Sequence, residues 1–541
     1  MCGILGLVTP DQNQERMPEA CIDSLKNRGF DGTGSYKKGV VAFYHTRLAV
    51  IDRRETSNQP LLSDDGNCAV VCNGEIYNHD ELRGQYQYNY RTTSDSEVIL
   101  ACYLSEGIEG FKQLKGTFSF GLFDHSKGKV LVYRDAVGKK PIFYSQDQKR
   151  FVFASSVQAV RDNLKLSLST QTDALACYLK EGCVPPDRTI YKSVTPVMPG
   201  ELIQVDAATG KMSKQKLYPE SSSYKGFDYT QETIFQEANR LLDQSVARRV
   251  QGLDHPVLLL SGGIDSTVLA SKMSGLLGEK MTCVGLRPLV PGTNDDLYAR
   301  YAARKLQLQY RPVGFCWKEL EQHLNHSIAL LDQPFSIPSY YWLTALTLEA
   351  RKFGNVLLSG EGGDEAFYGY SRIDDWFSED DGSMPPYTVG PPQIEKLSEW
   401  GRWQVTKNLL EHAFVKLDKA TAEQQMEARC PYLSWDLLVF MRSIPGSLFV
   451  DSGVTKHLLK RMLNGFPGWF LHRKKGGSAF NFRWLLFPLY EKMYHEIDWK
   501  RLSGLGLPVT RFPFSRSLIF RRFDQFWKLY VLNKFVSSGR L

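Results

Sequence analysis

Apolar residues in the first 205 positions fall into short runs separated by glycine, aspartate, asparagine and lysine. CGILGLV, VVAFY, CAVVC, FSFGLFD, KVLVY, PIFYS and FVFAS carry the β-branched and aromatic side chains that suit strands. Between them, SDSEVILACYLSEG spaces its apolar positions three and four apart behind a serine/aspartate start, the pattern of a capped helix. Such strands bury both faces only where two sheets stack with helices outside, which predicts an α+β sandwich over residues 2–205. From 206 to 229 the chain turns polar and glycine-containing (DAATGKMSKQ, then ESSSYKG), as expected of a connector. TQETIFQEANRLLDQSVARRV then brings Ile234, Leu241, Leu242 and Val246 near one helical face. After it PVLLL, STVLASKMSGLL, TCVGL, DDLYARYAARKL and NVLLSG alternate strand with helix. That order predicts an α/β doubly wound parallel sheet within residues 230–541.

A chain of 541 residues exceeds what one core organises, in agreement with this division. Its 43% apolar and 23% charged residues are those of an ordinary globular protein. No run of about 18 apolar residues and no basic-then-apolar leader occurs, so we expect no membrane segment and a cytoplasmic location. The ten cysteines show neither C-x-x-C nor cysteine/histidine zinc spacing, which predicts neither a disulfide framework nor a structural metal. A net charge of +7 is modest for this length. Its excess lies late, with 14 Lys/Arg against 4 Asp/Glu from His472 onward. The aromatic residues interleaved there (FRRFDQFWKLY) have the spacing of an amphipathic helix, so no nucleic-acid partner is expected.

Two loops carry candidate chemistry. In HPVLLLSGGIDSTVLA a buried strand, Val257 to Leu260, enters Ser261-Gly262-Gly263, and a helix opens near Asp265-Ser266. Glycines let the backbone approach an anion that amides and hydroxyls then hold. Asp265 beside a polyphosphate requires Mg2+ between them. NVLLSGEGGDEAFYGY repeats the grammar with Ser359-Gly360, then Glu361, Asp364 and Glu365. In a parallel sheet both loops face one crevice, which predicts Mg2+ on Asp265 and Asp364 and leaves Glu361 to position or deprotonate a nucleophile. At the other end of the chain, Cys2 has two readings. Either it packs as a small core residue, or removal of Met1 exposes a thiol and an α-amine on one residue, an N-terminal nucleophile.

MCGILG, RLAVID, NGEIYNH, TTSDSE, RDAVGKKPIFY, LSGGIDST, LSGEGGDE and EARCPYL, in this order, resemble the glutamine-dependent asparagine synthetase family. The resemblance implies a class II glutamine amidotransferase domain of N-terminal nucleophile (Ntn) hydrolase fold, followed by an ATP pyrophosphatase-type synthetase domain. It favours the nucleophile reading of Cys2. It implies that Arg47 grips the carboxylate of glutamine, within a pocket shared by Leu48, Ala49, Val50 and Ile51, and that Asp95 receives the α-ammonium. Asn73 and Gly74 form the oxyanion hole, with Glu75 beside the substrate amine. Leu260, Val284, Ser359 and Gly360 contact ATP, and Ser261, Gly262, Gly263, Asp265 and Ser266 hold its phosphates. Lys475, or its neighbour Lys474, is the catalytic lysine. The implied partners are glutamine, ATP and an acceptor carboxylic acid, aspartate first. Ammonia passes between the domains by a shielded route, and family members are often homodimers.

Four departures from the family pattern stand out. Phe30 replaces proline in Arg28-Gly29-Phe30-Asp31, which predicts a changed loop beside the glutamine pocket. Ser434 replaces an acid after Pro431-Tyr432-Leu433. Phe367-Tyr368-Gly369-Tyr370 is bulkier than the usual double glycine. Tyr340, Tyr341 and Trp342 stand where the family shapes its acceptor pocket, and either line it or pack in the core. These departures motivate a second expectation, a larger acceptor acid, and a third, a catalytically silent regulatory homologue.

Overall fold

The computed structural model of the chain describes residues 1–9, 23–147, 150–164, 169–219, 222–287, 294–314, 317–369, 407–445, 448, 456–473 and 482–540. Twelve strands among them make two antiparallel sheets. They are β1 (Gly3–Val8), β2 (Gly32–Lys38), β3 (Val41–Arg47), β4 (Leu61–Leu62), β5 (Cys68–Ile76), β6 (Gly116–Asp124), β7 (Lys129–Arg134), β8 (Phe143–Gln146), β9 (Phe151–Ala154), β10 (Thr195–Pro196), β11 (Glu201–Asp206) and β12 (Met212–Lys216). The sheets run β10-β8-β9-β1-β3-β2 and β12-β11-β7-β6-β5-β4. Side chains alternate across each pleat. Ile4, Val8, Val41, Phe43, Val71, Phe123, Val132, Phe153 and Ile203 fill the space between the sheets. Leu5, Leu7, Val152 and Ala154 turn outward to the helix Val157–Leu164, and Val70, Cys72, Phe120 and Tyr133 turn outward to the helix Val98–Glu106. This four-layer arrangement is the expected α+β sandwich.

The sheets approach closely at one point. The Phe153 ring fills a slot between Gly6 and Gly121, and a Cβ on either glycine would lie 2.1 Å from the ring. Strand β12 emerges from the stretch read as a connector. It is an edge strand pairing β11; only Met212 packs against the core, and the exposed polar residues after it give no hydrophobic alternation. The helix behind SDSEVILACYLSEG forms, but Asp95 does not cap it; its carboxylate accepts the Ile76 N–H on β5 instead, at 2.8 Å.

The remaining strands, β13 (Val257–Leu259), β14 (Thr282–Leu286), β15 (Gln309–Val313), β16 (Val356–Leu358) and β17 (Glu427–Arg429), form one parallel sheet in the order β15-β14-β13-β16-β17. Its central strand comes first in sequence and the chain winds outward both ways, as doubly wound topology requires. The helix Ile264–Leu277 packs one face through Val268, Leu269 and Met273, and the helix Pro338–Ala350 contributes to the other through Ala350. The helix Gln231–Val250 opens on a capping box between Thr230 and Thr233 and buries Ile234, Leu241, Leu242 and Val246 as predicted. The late aromatic stretch forms the helix Phe523–Phe535, with Phe526, Trp527 and Val531 buried. Among the described residues no helix is long and apolar enough to cross a membrane.

Phe153→Ala empties the slot between the sheets and is expected to cost about 3–5 kcal/mol of stability. Gly121→Val forces a side chain into the ring and lowers stability as well. Urea unfolding followed by far-ultraviolet circular dichroism reads both, and an unchanged transition for either variant contradicts the packing described.

Candidate active site

Cys2 stands at the head of β1. The Leu48 N–H donates to its Sγ at 3.4 Å, and burial pushes the thiol pKa up. Met1 precedes it with its amino group against Met426 O (3.3 Å), where burial holds the ammonium down at about 5. While Met1 is attached, the Cys2 nitrogen is a peptide amide and cannot serve as a base. A cavity of about 40 Å³ opens at the thiol, lined by Arg47, Leu48, Val50, Ile51, Gly74, Glu75 and Asp95, together with Glu427 from the parallel sheet.

Arg47 is held by its own loop. Its guanidinium donates to Arg54 O (2.7 Å), Asn58 Oδ1 (3.1 Å) and Asp52 O. Asp52 in turn accepts from Arg54, which drives its carboxyl well below the usual range, and from the amide and hydroxyl of Thr93 (2.8 and 2.7 Å). RLAVID and TTSDSE are thereby tied together. Burial raises the Asp95 carboxyl. Ala49 stays behind the cavity wall, its N–H given to Asp31 Oδ2 at 2.7 Å. Asn73 is fully buried, and neither end of its side-chain amide finds a protein partner. It lies behind Gly74 and is not among the residues that line the cavity, although the resemblance places it there. Gly74 adopts φ +138°, where a Cβ would meet Thr117 O at 2.2 Å. Phe30 projects into solvent, 68% exposed, and is not among the residues that line the cavity.

The second site lies beyond the carboxyl ends of β13 and β16, in a cavity of about 470 Å³. Leu260, Ser261, Gly263, Asp265, Ser266, Val284, Ser359, Gly360, Glu361 and Asp364 all line it. Gly262 does not; it turns the chain beneath at φ +74°, where a Cβ would sit 2.5 Å from Ala299 N. Ser261 Oγ lies 3.1 Å from Ser266 Oγ and accepts the Gly263 N–H at 3.3 Å, which shapes the loop for an anion.

Asp265 and Asp364 converge, as expected of a cation site. The cation they share in this structure is Lys456, with Nζ 2.5 Å from one carboxylate and 2.6 Å from the other. Burial works against the Lys456 charge, but the pull of Asp265 and Asp364 outweighs it and raises the pKa. Gly369 makes this contact possible, because a Cβ there would lie 2.0 Å from Lys456 Cε and 2.1 Å from Asp364 Oδ1. The neighbouring Tyr368, bulkier than the family pattern, is buried and held at φ +50°. Glu361 lines the cavity and pairs with Lys416 at 2.5 Å. Arg473, paired with Asp295 at 3.1 Å, adds a further positive charge to the cavity wall. Lys474 and Lys475 lie outside the described residues.

Lys456, which reaches the two aspartates, and Lys416 and Arg473, which line the cavity, come from elements distant in the chain and had no sequence signal. Of the aromatic trio, Tyr340 and Tyr341 pack in the core against Phe335, Phe482 and Trp527, and Trp342 alone lines the cavity.

Between the two cavities runs a buried, charged seam. Arg429 on β17 donates to Glu75 Oε1 and to Arg249 O, both at 2.5 Å. Lys140 pairs with Glu427 (3.2 Å), and Arg28 grips Asp418 with two bonds of 2.8 and 2.9 Å while its Nε donates to Cys2 O. Burial drives the Glu75 carboxyl well up despite Arg429. It also opposes the Glu427 charge, but Lys140 and Arg429 overcome it and hold that group down at about 2.

Two family models match the chain. The family model described as a glutamine amidotransferase domain matches residues 1–218, and that described as asparagine synthase matches 237–390 and 389–507. Asparagine synthetase [glutamine-hydrolyzing] 1 of Bacillus subtilis is 25% identical over 571 residues, covering 90% of this chain and 88% of its own length. The asparagine synthetase [glutamine-hydrolyzing] of Mesocricetus auratus is 26% identical over 568 residues, covering 95% and 91%. Among solved structures, glutamine phosphoribosylpyrophosphate amidotransferase from B. subtilis aligns with a TM-score of 0.31 and 15% identity, over 67% of this chain and 77% of that one.

Lys456→Met leaves Asp265 and Asp364 facing each other without their shared cation. The variant is expected to melt below the parent at pH 7. The gap should narrow towards pH 4, as protonation relieves the repulsion between the carboxylates. Gly369→Ala, which displaces Lys456, is expected to behave alike. Differential scanning calorimetry across this range checks both, and a gap independent of pH contradicts the pairing.

Proposed function

The chain belongs to the glutamine-dependent asparagine synthetase family, and on that premise we propose that it makes asparagine from aspartate with glutamine as nitrogen donor. As a ligase of this family it uses ATP. The observation that carries the reading is the presence, on either side of one buried seam, of a cysteine-headed cavity and a paired phosphate-type loop.

With Met1 removed, the Cys2 α-amine takes the thiol proton and Sγ attacks the side-chain amide carbon of glutamine. Arg47 holds the substrate carboxylate and Asp95 its α-ammonium. The Gly74 N–H and the Asn73 side chain receive the oxyanion. Ammonia leaves, and water hydrolyses the thioester to glutamate.

At the second cavity Leu260, Val284, Ser359 and Gly360 contact the nucleotide, and Ser261, Gly263 and Ser266 cradle its phosphates. Asp265 and Asp364 supply the oxygen ligands that would hold Mg2+, whose charge offsets that of the phosphates; their convergence on Lys456 supports this fit. The aspartate side-chain carboxylate attacks the α-phosphorus of ATP, and pyrophosphate departs. Arg473, on the cavity wall, stabilises the negative charge that develops, and by resemblance Lys475 joins it. Ammonia then attacks the acyl-adenylate, giving the amide and AMP. The Lys416–Glu361 pair flanks the reacting carboxyl and offers Glu361 as acceptor of the proton that ammonia loses.

Incubation with glutamine, ATP, Mg2+ and aspartate is expected to yield asparagine, glutamate, AMP and pyrophosphate in equal amounts. ADP in place of AMP overturns the mechanism, and pyrophosphate release with another acid but not with aspartate overturns the acceptor. Cys2→Ala should lose glutamine-dependent synthesis by roughly a thousandfold or more while synthesis from ammonium salts continues. Loss of both activities in a folded variant contradicts the division of labour.

A further inference from the structure

Three side chains with metal-binding donors, none of them lining the two cavities described, meet where the amidotransferase half faces the synthetase half. Cys183 follows the helix Thr172–Glu181, which ends where Gly182 turns the chain at φ +86°. Glu411 and His412 are consecutive on Lys407–Ala413, a helical turn of the wide type closed by i to i+5 hydrogen bonds. A wider turn rotates less per residue, which brings neighbouring side chains towards one face. One donor atom from each residue lies within 4.8 Å of the others, and Cys183 Sγ stands 3.7 Å from Glu411 Oε2. The sulfur-to-oxygen edge of a tetrahedron around zinc, with ordinary bond lengths, measures roughly 3.6 Å. Cys183 and Glu411 are buried and line a cavity of about 100 Å³. That volume has room for water, the usual occupant of an open fourth position.

We propose that Cys183, Glu411 and His412 bind a zinc-class divalent cation, with a cavity water as fourth ligand, and that this ion ties the two halves together. The donor set decides the class. Sulfur, nitrogen and one carboxylate suit Zn2+ and its neighbours, whereas Mg2+ and Ca2+ take oxygen ligands. On binding, the Cys183 thiol becomes a thiolate and its proton goes to solvent. No local spacing announces the site, because 228 residues separate Cys183 from Glu411.

The test is titration of the chelator-stripped full-length protein with Co2+, a spectroscopic stand-in for Zn2+. One equivalent should produce visible ligand-field bands and a near-ultraviolet thiolate-to-cobalt band, displaced by Zn2+ and unaffected by excess Mg2+. The thiolate band should vanish in Cys183→Ser and persist in Cys2→Ala. His412→Ala should weaken binding by more than about tenfold. Absence of the band from the parent protein, or its survival at full strength in Cys183→Ser, overturns the proposal. Should Cys183→Ser fail to fold by circular dichroism, Glu411→Gln and His412→Ala serve in its place, and undiminished cobalt affinity in both overturns it equally.

Discussion

Charge pairing across the domain seam is the constraint on which the rest of the molecule depends. An ion withdrawn from water costs several kcal/mol unless a partner and hydrogen bonds replace its hydration. Arg429 meets that requirement only from two directions at once, with Glu75 supplied by the antiparallel half and the Arg249 carbonyl by its own half. Lys140 with Glu427 and Arg28 with Asp418 repeat the condition at neighbouring points. Displacing one half by an ångström or two would strand several buried charges together, so polar matching defines the alignment more sharply than apolar area does.

Both cavities inherit their geometry from that alignment. Strand β17 is the last strand of the parallel sheet, and its Glu427 also forms a wall of the cavity at Cys2. On the same sheet β13 and β16 are neighbours, so their loops meet with little space between them. A Cβ on Gly360 would lie 3.2 Å from the Ser266 nitrogen. The cavity beyond β13 and β16 is thus built from two turns that the sheet holds in register, with a lysine threaded between two carboxylates to offset their repulsion.

How much of this is legible in the sequence follows from where the information sits. Strands such as β1, β5, β6 and β9 are buried on both sides and announce themselves as apolar runs. Strand β2 alternates half-buried with exposed residues, β15 contains Pro312 at a sheet edge, and β17 has three residues. Their positions come from tertiary pairing, and no periodicity marks them. The glycine loops are legible because backbone geometry demands particular residues, as at Gly74 and Gly262. Lys456, Lys416 and Arg473 are not, since a cation that completes a distant acidic cluster has no neighbours in sequence to betray it. The aromatic stretch at Tyr340 was ambiguous for a related reason, because adjacent residues on one helix face opposite environments, two towards the core and one towards the cavity.

The late position of β17 has a temporal meaning. Glu75 and its partner Arg429 are 354 residues apart. A ribosome adding roughly 5–20 residues per second exposes the nascent amino-terminal half for on the order of tens of seconds before the strand that closes its pocket is made. Throughout that interval the thiol faces a pocket with one wall missing, so a polypeptide still under synthesis is poorly equipped to squander glutamine before its consumer exists.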